Sequence, residues 1–561
     1  MISRRSFLSR SSLAAAAAGS SFAAPHIARS AEQLLTTPGQ KPKRIIHIVS
    51  DGMSLGTLTC ANLFSELTRK RPLAWTQLLN NPSAHQALMN TRSLNSMVTD
   101  SSAASSAWGS GSRVVNGAVN ILPDGKLLTP FYSLFADKGW GTGLVTTAEI
   151  THATPAGFAI AVKSRGDSQA IAAQYLDRKV DILLGGGHPF FSPNSRKDKR
   201  DLRGDFAKAG YTVMNTAAEL QNAPLDTRLL GTFADGHLPY SIDRRSDPKL
   251  IARAPTIADL TRAALTRLQQ RDQFILQVEG ARIDHAAHNS DAAAAIVDQI
   301  ALDEAIEVCL EFQRVHPGTL VVITTDHANS NLGLNGMGGG YRTSSQRFAT
   351  LGDVKVSFPE ILKRLEKAGT KIKVPAIPAD AEDKLDVPDP MAKLDPDGKV
   401  EGDKGEPDPK AAKDDDKTKF TAAVQLASAM NVEPKAIIDI IADATGYRMS
   451  ERRAVLFGKV LAGEYPALYD QMNSAVTQLG QLIANRTGVG WTGNTHTADY
   501  VTLVAVGPGA EHFRGIVQNT DIFGHYTGFA GIDFKNPAAP LIAHAGPEAG
   551  DVEDHASYAL A

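Results

Sequence analysis

The run Ile45-Ile46-His47-Ile48-Val49, followed at once by Ser50-Asp51-Gly52, decides the fold. Its β-branched residues show no polar alternation, which describes a strand buried on both faces, and the Asp-Gly pair marks where the chain turns out of it. The same pattern recurs. Gly143-Leu144-Val145-Thr146-Thr147 leads into Ala148-Glu149, and Val180–Leu184 ends at Gly185-Gly186-Gly187. Phe274–Val278 ends at Glu279-Gly280, Thr319–Thr325 ends at Asp326-His327, and Tyr500–Val506 lies near the end of the chain. Helical patterns stand between these runs. The longest, Ala292–Val315, carries Ile296, Ile300, Ala305, Val308 and Phe312 at roughly helical spacing. Apolar strands alternating with helices predict an α/β fold, a doubly wound and mostly parallel sheet flanked by helices.

The rest of the 561 residues bounds the answer. A composition 43% hydrophobic and 21% charged supports a packed core. Lys+Arg 58 against Asp+Glu 60 gives a net charge of −2, which argues against nucleic acid as the main partner, since no basic excess exists to neutralise phosphates. Two cysteines, Cys60 and Cys309, exclude a multi-bridge disulfide framework and a Cys-based zinc ribbon, and both are expected to be buried free thiols. No run of 18 or more apolar residues is present, so no membrane span is expected.

Residues 1–31 contain four arginines and no lysine, aspartate or glutamate. Arg4-Arg5 precedes the soft stretch Leu13–Ala18, a pattern that resembles a twin-arginine export signal. The expectation is recognition by the twin-arginine export machinery and a periplasmic or secreted protein, with cleavage after Ala23 or after Ser30. Residues 32–370 and 490–561 read as the catalytic core. Residues 371–418 read as a charged disordered linker or loop, because Ala381–Lys417 holds thirteen acidic residues and seven lysines with almost no apolar bulk. Residues 419–489 read as an inserted helical subdomain, with Ala436–Ile441 as its strongest run, and the chain returns to the core at Trp491.

In doubly wound sheets, sites form at the carboxyl ends of strands. This sequence puts acids and imidazoles there repeatedly: Asp51, Glu279 with Asp284 and His288 close behind, Asp326-His327, and His496 before Tyr500–Val506. Such donors suit zinc, and carboxylates with a hydroxyl suit magnesium. Singly each has an ordinary reading: a turn, a helix cap, a surface pair. Val98-Thr99-Asp100-Ser101-Ser102 opens a small-residue helix, where a serine meets the positive end of the helix dipole.

Taken in order, these segments closely resemble the alkaline phosphatase family with a serine nucleophile, two zinc ions and one magnesium ion. They are Asp51-Gly52-Met53, Val98-Thr99-Asp100-Ser101, Thr147-Ala148-Glu149 through His152 and Thr154 to Arg165, Ile283-Asp284 with His288, Thr324-Thr325-Asp326-His327, and Gly493-Asn494-Thr495-His496. The resemblance implies roles. Ser101 would be the phosphorylated nucleophile and Arg165 the phosphate clamp, oriented by Asp100. Asp284, His288 and His496 would hold one zinc. Asp51, Asp326 and His327 would hold the second, completed by Ser101. Asp51, Thr154 and Glu279 would hold magnesium. The implied activity is hydrolysis of small phosphomonoesters to an alcohol and inorganic phosphate through a phosphoserine, and the implied assembly is a homodimer. Two positions depart from some bacterial members, which carry Asp and Lys where this chain has His152 and His285. His152 leaves the third site open to zinc as well as magnesium, and His285 removes a fixed positive charge near phosphate. A phosphodiesterase on the same metal scaffold is the alternative activity. A sulfatase is excluded, because neither cysteine sits in a Cys-x-Pro-x-Arg setting.

Overall fold

The structure, a computed structural model, describes residues 39–336, 341–373 and 434–542. The expected export signal, most of the charged linker, the first part of the helical insertion and residues 543–561 lie outside the described residues.

The opening run forms β1 (Arg44–Val49). The strands that follow are β2 (His85–Asn90), β3 (Gly141–Glu149), β4 (Ile182–Gly186), β5 (Tyr211–Met214), β6 (Arg228–Thr232), β7 (Phe274–Glu279) and β8 (Thr319–Thr324). Four two-residue strands come next: β9 (Ala328–Asn329), β10 (Gly333–Leu334), β11 (Val489–Gly490) and β12 (His496–Thr497). The last are β13 (Val501–Val506) and β14 (Gly515–Gln518). Among the described residues ten strands make one sheet in the order β14-β2-β13-β8-β1-β7-β3-β4-β6-β5. Every neighbouring pair is parallel except the two that involve β13.

The continuous apolar runs follow from two-sided burial. Ile46 and Ile48 of β1 join one core with Leu276, Val278, Val321 and Ile323. Ile45 and Val49 join the opposite core with Ile275, Leu320 and Val322. Alternate side chains therefore serve different layers, each packed in its own apolar core.

The helix Ala292–Val315 has the predicted limits. Its buried face keeps Ile296 and Ala305 of the predicted stripe and departs from the rest of it. Ile300, Val308 and Phe312 are only partly buried, while Gln299, Asp303, Ile306, Cys309 and Gln313 face inward. Two of these inward polar residues tie neighbouring segments to the helix. Gln299 Oε1 accepts from Ser50 Oγ at 2.6 Å, and Asp303 accepts from the backbone N–H groups of Ala74 and Trp75 at 2.9 and 3.0 Å. Cys60 and Cys309 are buried free thiols.

The helices Pro434–Thr445, Glu451–Leu461 and Ala475–Thr487 share a separate apolar core that also takes in Phe358, Ile361, Leu362 and Leu365 of the helix Phe358–Lys367. Among the described residues, no helix is long and apolar enough to cross a membrane.

Candidate active site

β1 lies between β7 and β8, and the three strands end in register, Val49 opposite Glu279 and Thr324. The residues that follow them therefore emerge at one level. Asp51 and Gly52 turn out of β1, with Gly52 in the left-handed region at φ +67°. The Gly52 N–H donates to Asp326 Oδ1 at 3.1 Å, and the His327 N–H reaches the same oxygen at 3.0 Å. Asp326 Oδ2 is left 3.1 Å from His327 Nε2. A Cβ on residue 52 would stand 2.1 Å from Asp284 Oδ1, so the glycine is required by close approach as well as by its dihedral.

Asp284 and His288 lie one turn apart on the short helix Arg282–His288. Asp284 Oδ2 is 3.2 Å from His288 Nε2. Its Oδ1 accepts from Asn329 Nδ2 at 2.6 Å, and Asn329 in β9 pairs with His496 in β12. His288 Nδ1 lies 2.6 Å from the Asn494 carbonyl, and His496 Nδ1 lies 2.8 Å from the Thr99 carbonyl. A carbonyl oxygen only accepts, so both rings carry their proton on Nδ1 and turn a lone pair on Nε2 inward. Those two Nε2 atoms are 3.2 Å apart. The His327 and His496 rings stack with centroids 3.4 Å apart.

Three groups of metal-binding type result: Asp284, His288 and His496; Asp51, Asp326 and His327; and Asp51, His152 and Glu279. Within each, the donor atoms lie within 4.8 Å of one another, and Asp51 belongs to two. Thr154, in the helix Ala153–Ala159, is fully buried two residues beyond His152. Among the described residues no hydrogen-bond partner reaches either oxygen of Asp51 or Glu279, or Thr154 Oγ1. Burial, and then the neighbouring carboxylates Asp326, Asp284 and Glu279, push the Asp51 carboxyl well above its ordinary range. Buried oxygens crowded this way are costly unless cations neutralise them. Facing lone pairs on two imidazoles call for the same remedy, so the donor set fits divalent metals.

Ser101 opens the helix Ser101–Ser110 and is fully buried. Its Oγ is 3.2 Å from His327 Nε2. Asp100 caps this helix by accepting from the Ala103 N–H at 2.8 Å, accepts from the Gly117 N–H at 2.8 Å, and accepts from Arg165 at 3.2 Å. One carboxylate thus fixes both the serine helix and the guanidinium, which is buried and also 3.2 Å from His152 Nε2.

The serine helix crosses the Thr154 helix at glycines. A Cβ on Gly109 would stand 1.9 Å from the Gly157 carbonyl, and one on Gly157 would stand 2.3 Å from Ser105 Oγ. At the crossing, Ser105 Oγ and Gln277 Nε2 donate to the Thr154 carbonyl at 2.6 and 3.1 Å.

Every site residue predicted from sequence lies in or beside this cluster. His285 sits against two groups that sequence reasoning missed. Arg282 donates to His285 Nδ1 at 2.8 Å, and His237, on the loop after β6, packs its ring 4.3 Å from that of His285. Burial, then His237 and Arg282, hold the His285 imidazole well below its ordinary value. Asn329 was also missed. It lies two residues beyond His327, a spacing that hints at a supporting role only after the strand end is known.

A family model described as alkaline phosphatase matches residues 42–532. The chain is similar to alkaline phosphatase 3 of Bacillus subtilis, at 29% identity over 490 residues that cover 86% of this chain and 87% of that protein. It is similar to alkaline phosphatase 4 of the same organism, at 29% identity over 431 residues, 76% and 75% of the two chains. Its structure resembles that of Thermus thermophilus alkaline phosphatase with a TM-score of 0.74 and 30% identity, covering 92% of this chain and 97% of that one.

Proposed function

The chain belongs to the alkaline phosphatase family of phosphomonoester hydrolases, and from that premise we propose that it works through a phosphoserine at Ser101 in a site built for two zinc ions and a third metal. The observation that carries this reading is the convergence of the metal-binding groups on one hydroxyl, with Ser101 Oγ 3.2 Å from His327 Nε2.

Asp284, His288 and His496 would hold one zinc; Asp51, Asp326 and His327, with Ser101, would hold the other. Asp51, Glu279 and Thr154 would hold magnesium, and His152 leaves zinc open at that third site. When bound, such ions supply Lewis acidity, lowering the pKa of an attached hydroxyl or water and neutralising charge on the transferring group. The chain's own residues do the rest. Arg165, held by Asp100, offers a planar fork to two phosphoryl oxygens and orients the phosphorus for in-line attack. Ser101 Oγ attacks, the Oγ–P bond forms as the ester P–O bond breaks, and the alcohol leaves with a proton. Water then attacks the phosphoserine, returning Ser101 and releasing inorganic phosphate. The helix N-terminus at Ser101 directs backbone N–H groups at the anion throughout.

We further propose export by the twin-arginine pathway to the periplasm or beyond, and assembly as a homodimer. Arg4→Lys with Arg5→Lys would then keep the activity in the cytoplasm.

The test of the central reading is acid quench during turnover followed by peptide mass spectrometry. Phosphate on Ser101, and loss of most turnover in Ser101→Ala or after chelation, is the expected result. Parental turnover by Ser101→Ala would defeat it, and faster turnover of a diester than of the matching monoester would move the chain to the phosphodiesterase alternative.

A further inference from the structure

The arrangement around His285 carries information that the metal groups do not. An arginine side chain has donors and no acceptor and keeps its proton. The 2.8 Å contact from Arg282 to His285 Nδ1 therefore makes Nδ1 the acceptor, and a neutral ring whose Nδ1 accepts carries its proton on Nε2. Among the described residues this is the one hydrogen bond made by that ring.

Arg282 is itself held in place. Its guanidinium stacks 3.6 Å over the Tyr240 ring, the Tyr240 hydroxyl accepts from Asn289 Nδ2 at 3.1 Å, and the Arg282 N–H donates to Thr147 Oγ1 at 3.1 Å. The neighbouring His237 repeats the logic. Its Nδ1 accepts from the Glu149 N–H at 3.1 Å, which puts its proton on Nε2 as well. His285 directly follows Asp284, and its ring centroid is 5.7 Å from that of His152, whose Nε2 is 3.2 Å from Arg165. His152 thus stands between this ring and the guanidinium assigned to phosphate, close to the one and in hydrogen-bond reach of the other.

We infer that Arg282 is a positioning residue: it locks His285 in the tautomer with the proton on Nε2, and so makes His285 a neutral hydrogen-bond donor to an oxygen of the phosphoryl group. The positive charge that a neutral imidazole lacks is supplied from behind it by Arg282, which polarises the Nε2–H bond without touching the substrate. The inference rests on reading the site as a phosphomonoesterase.

The experiment is a double-substitution cycle on the zinc- and magnesium-loaded enzyme, read as the inhibition constant of inorganic phosphate. Arg282→Met is expected to raise that constant about tenfold, the worth of one hydrogen bond to a charged group. His285→Ala is expected to raise it equally, and the double variant no further, because both remove one interaction. Arg282→Lys, which still donates, should return it toward the parental value. An unchanged constant in Arg282→Met, or effects that add in the double variant, overturns the inference. So does a rise accompanied by loss of zinc, which would assign Arg282 to the build of the metal site. If Arg282→Met does not fold, histidine-selective 15N labelling of the parental holoenzyme decides. A protonated Nε2 on His285 supports the assignment, and a protonated Nδ1 refutes it. Failure of the phosphomonoesterase reading appears elsewhere, as undiminished turnover by Ser101→Ala, so the two failures are separable.

Discussion

Gly52→Ala isolates the geometric demand of the site at a residue that ligates nothing. The new Cβ would stand 2.1 Å from Asp284 Oδ1, 2.7 Å from its Cβ and 2.8 Å from its Cγ. Restoring an ordinary contact needs a displacement of about 1 Å, a misplacement of the size that costs on the order of 100-fold in rate. The same peptide donates to Asp326 Oδ1, so the shift reaches a second metal group. Alanine at φ +67° adds about 1–2 kcal/mol of left-handed strain, which lowers stability without any contact. Gly125→Ala is the matched control, because Gly125 has φ +84° and nothing within 4 Å of a built Cβ. In urea unfolding Gly125→Ala should lose about the strain alone, and Gly52→Ala that strain plus the cost of the clash. Only Gly52→Ala should lose about 100-fold in kcat/KM for a chromogenic phosphomonoester, with less zinc per chain by elemental analysis. Parental kcat/KM and zinc content in Gly52→Ala would refute the claim that Asp284 is packed against this turn.

Other substitutions probe the supporting structure. Asn329→Ala removes the 2.6 Å hydrogen bond to Asp284 and should weaken zinc binding about 10- to 100-fold, with activity recovered by added zinc in a titration of the metal-free enzyme. Gly157→Ala forces the serine and Thr154 helices apart, so it should lower the thermal midpoint and kcat together; loss of neither would show that the crossing does not position the serine. Burial pushes the Asp303 carboxyl up to about 7, above its unfolded value of 3.8. The stability that depends on its neutral form is therefore complete below about pH 4 and lost as pH rises through about 7. Asp303→Asn stays neutral, so its unfolding free energy relative to the parent should improve from pH 5 to pH 9, by up to about 3 kcal/mol. A flat difference across that range would contradict the raised pKa.

What the sequence reveals and conceals has a physical basis. β1, β3, β7, β8 and β13 were legible because two-sided burial writes unbroken apolar runs. β2 (His85–Asn90) alternates exposed and buried residues, and β14 (Gly515–Gln518) at the sheet edge buries little beyond Val517, so neither writes such a run. Most of the acids and imidazoles stood out because they follow a strand end, and strands in register deliver their ends to one level; His496 precedes β13 instead, and reaches that level because β13 runs antiparallel to β8. The supporting residues did not stand out, because their roles depend on partners distant in the chain. Asn329 matters through Asp284, and Gly109 matters because a helix containing Gly157 crosses it. Arg282 reads in sequence as one more charge beside a histidine. Its meaning appears only when its guanidinium is seen stacked on Tyr240 and aimed at Nδ1.

Paired metals at one serine are the central claim. Zinc-edge anomalous diffraction from crystals of the loaded enzyme tests it directly. Two peaks about 3.5–4 Å apart are predicted, one bounded by Asp284, His288 and His496, the other by Asp51, Asp326 and His327 beside Ser101 Oγ. A single peak, or zinc bound away from these side chains, would contradict it.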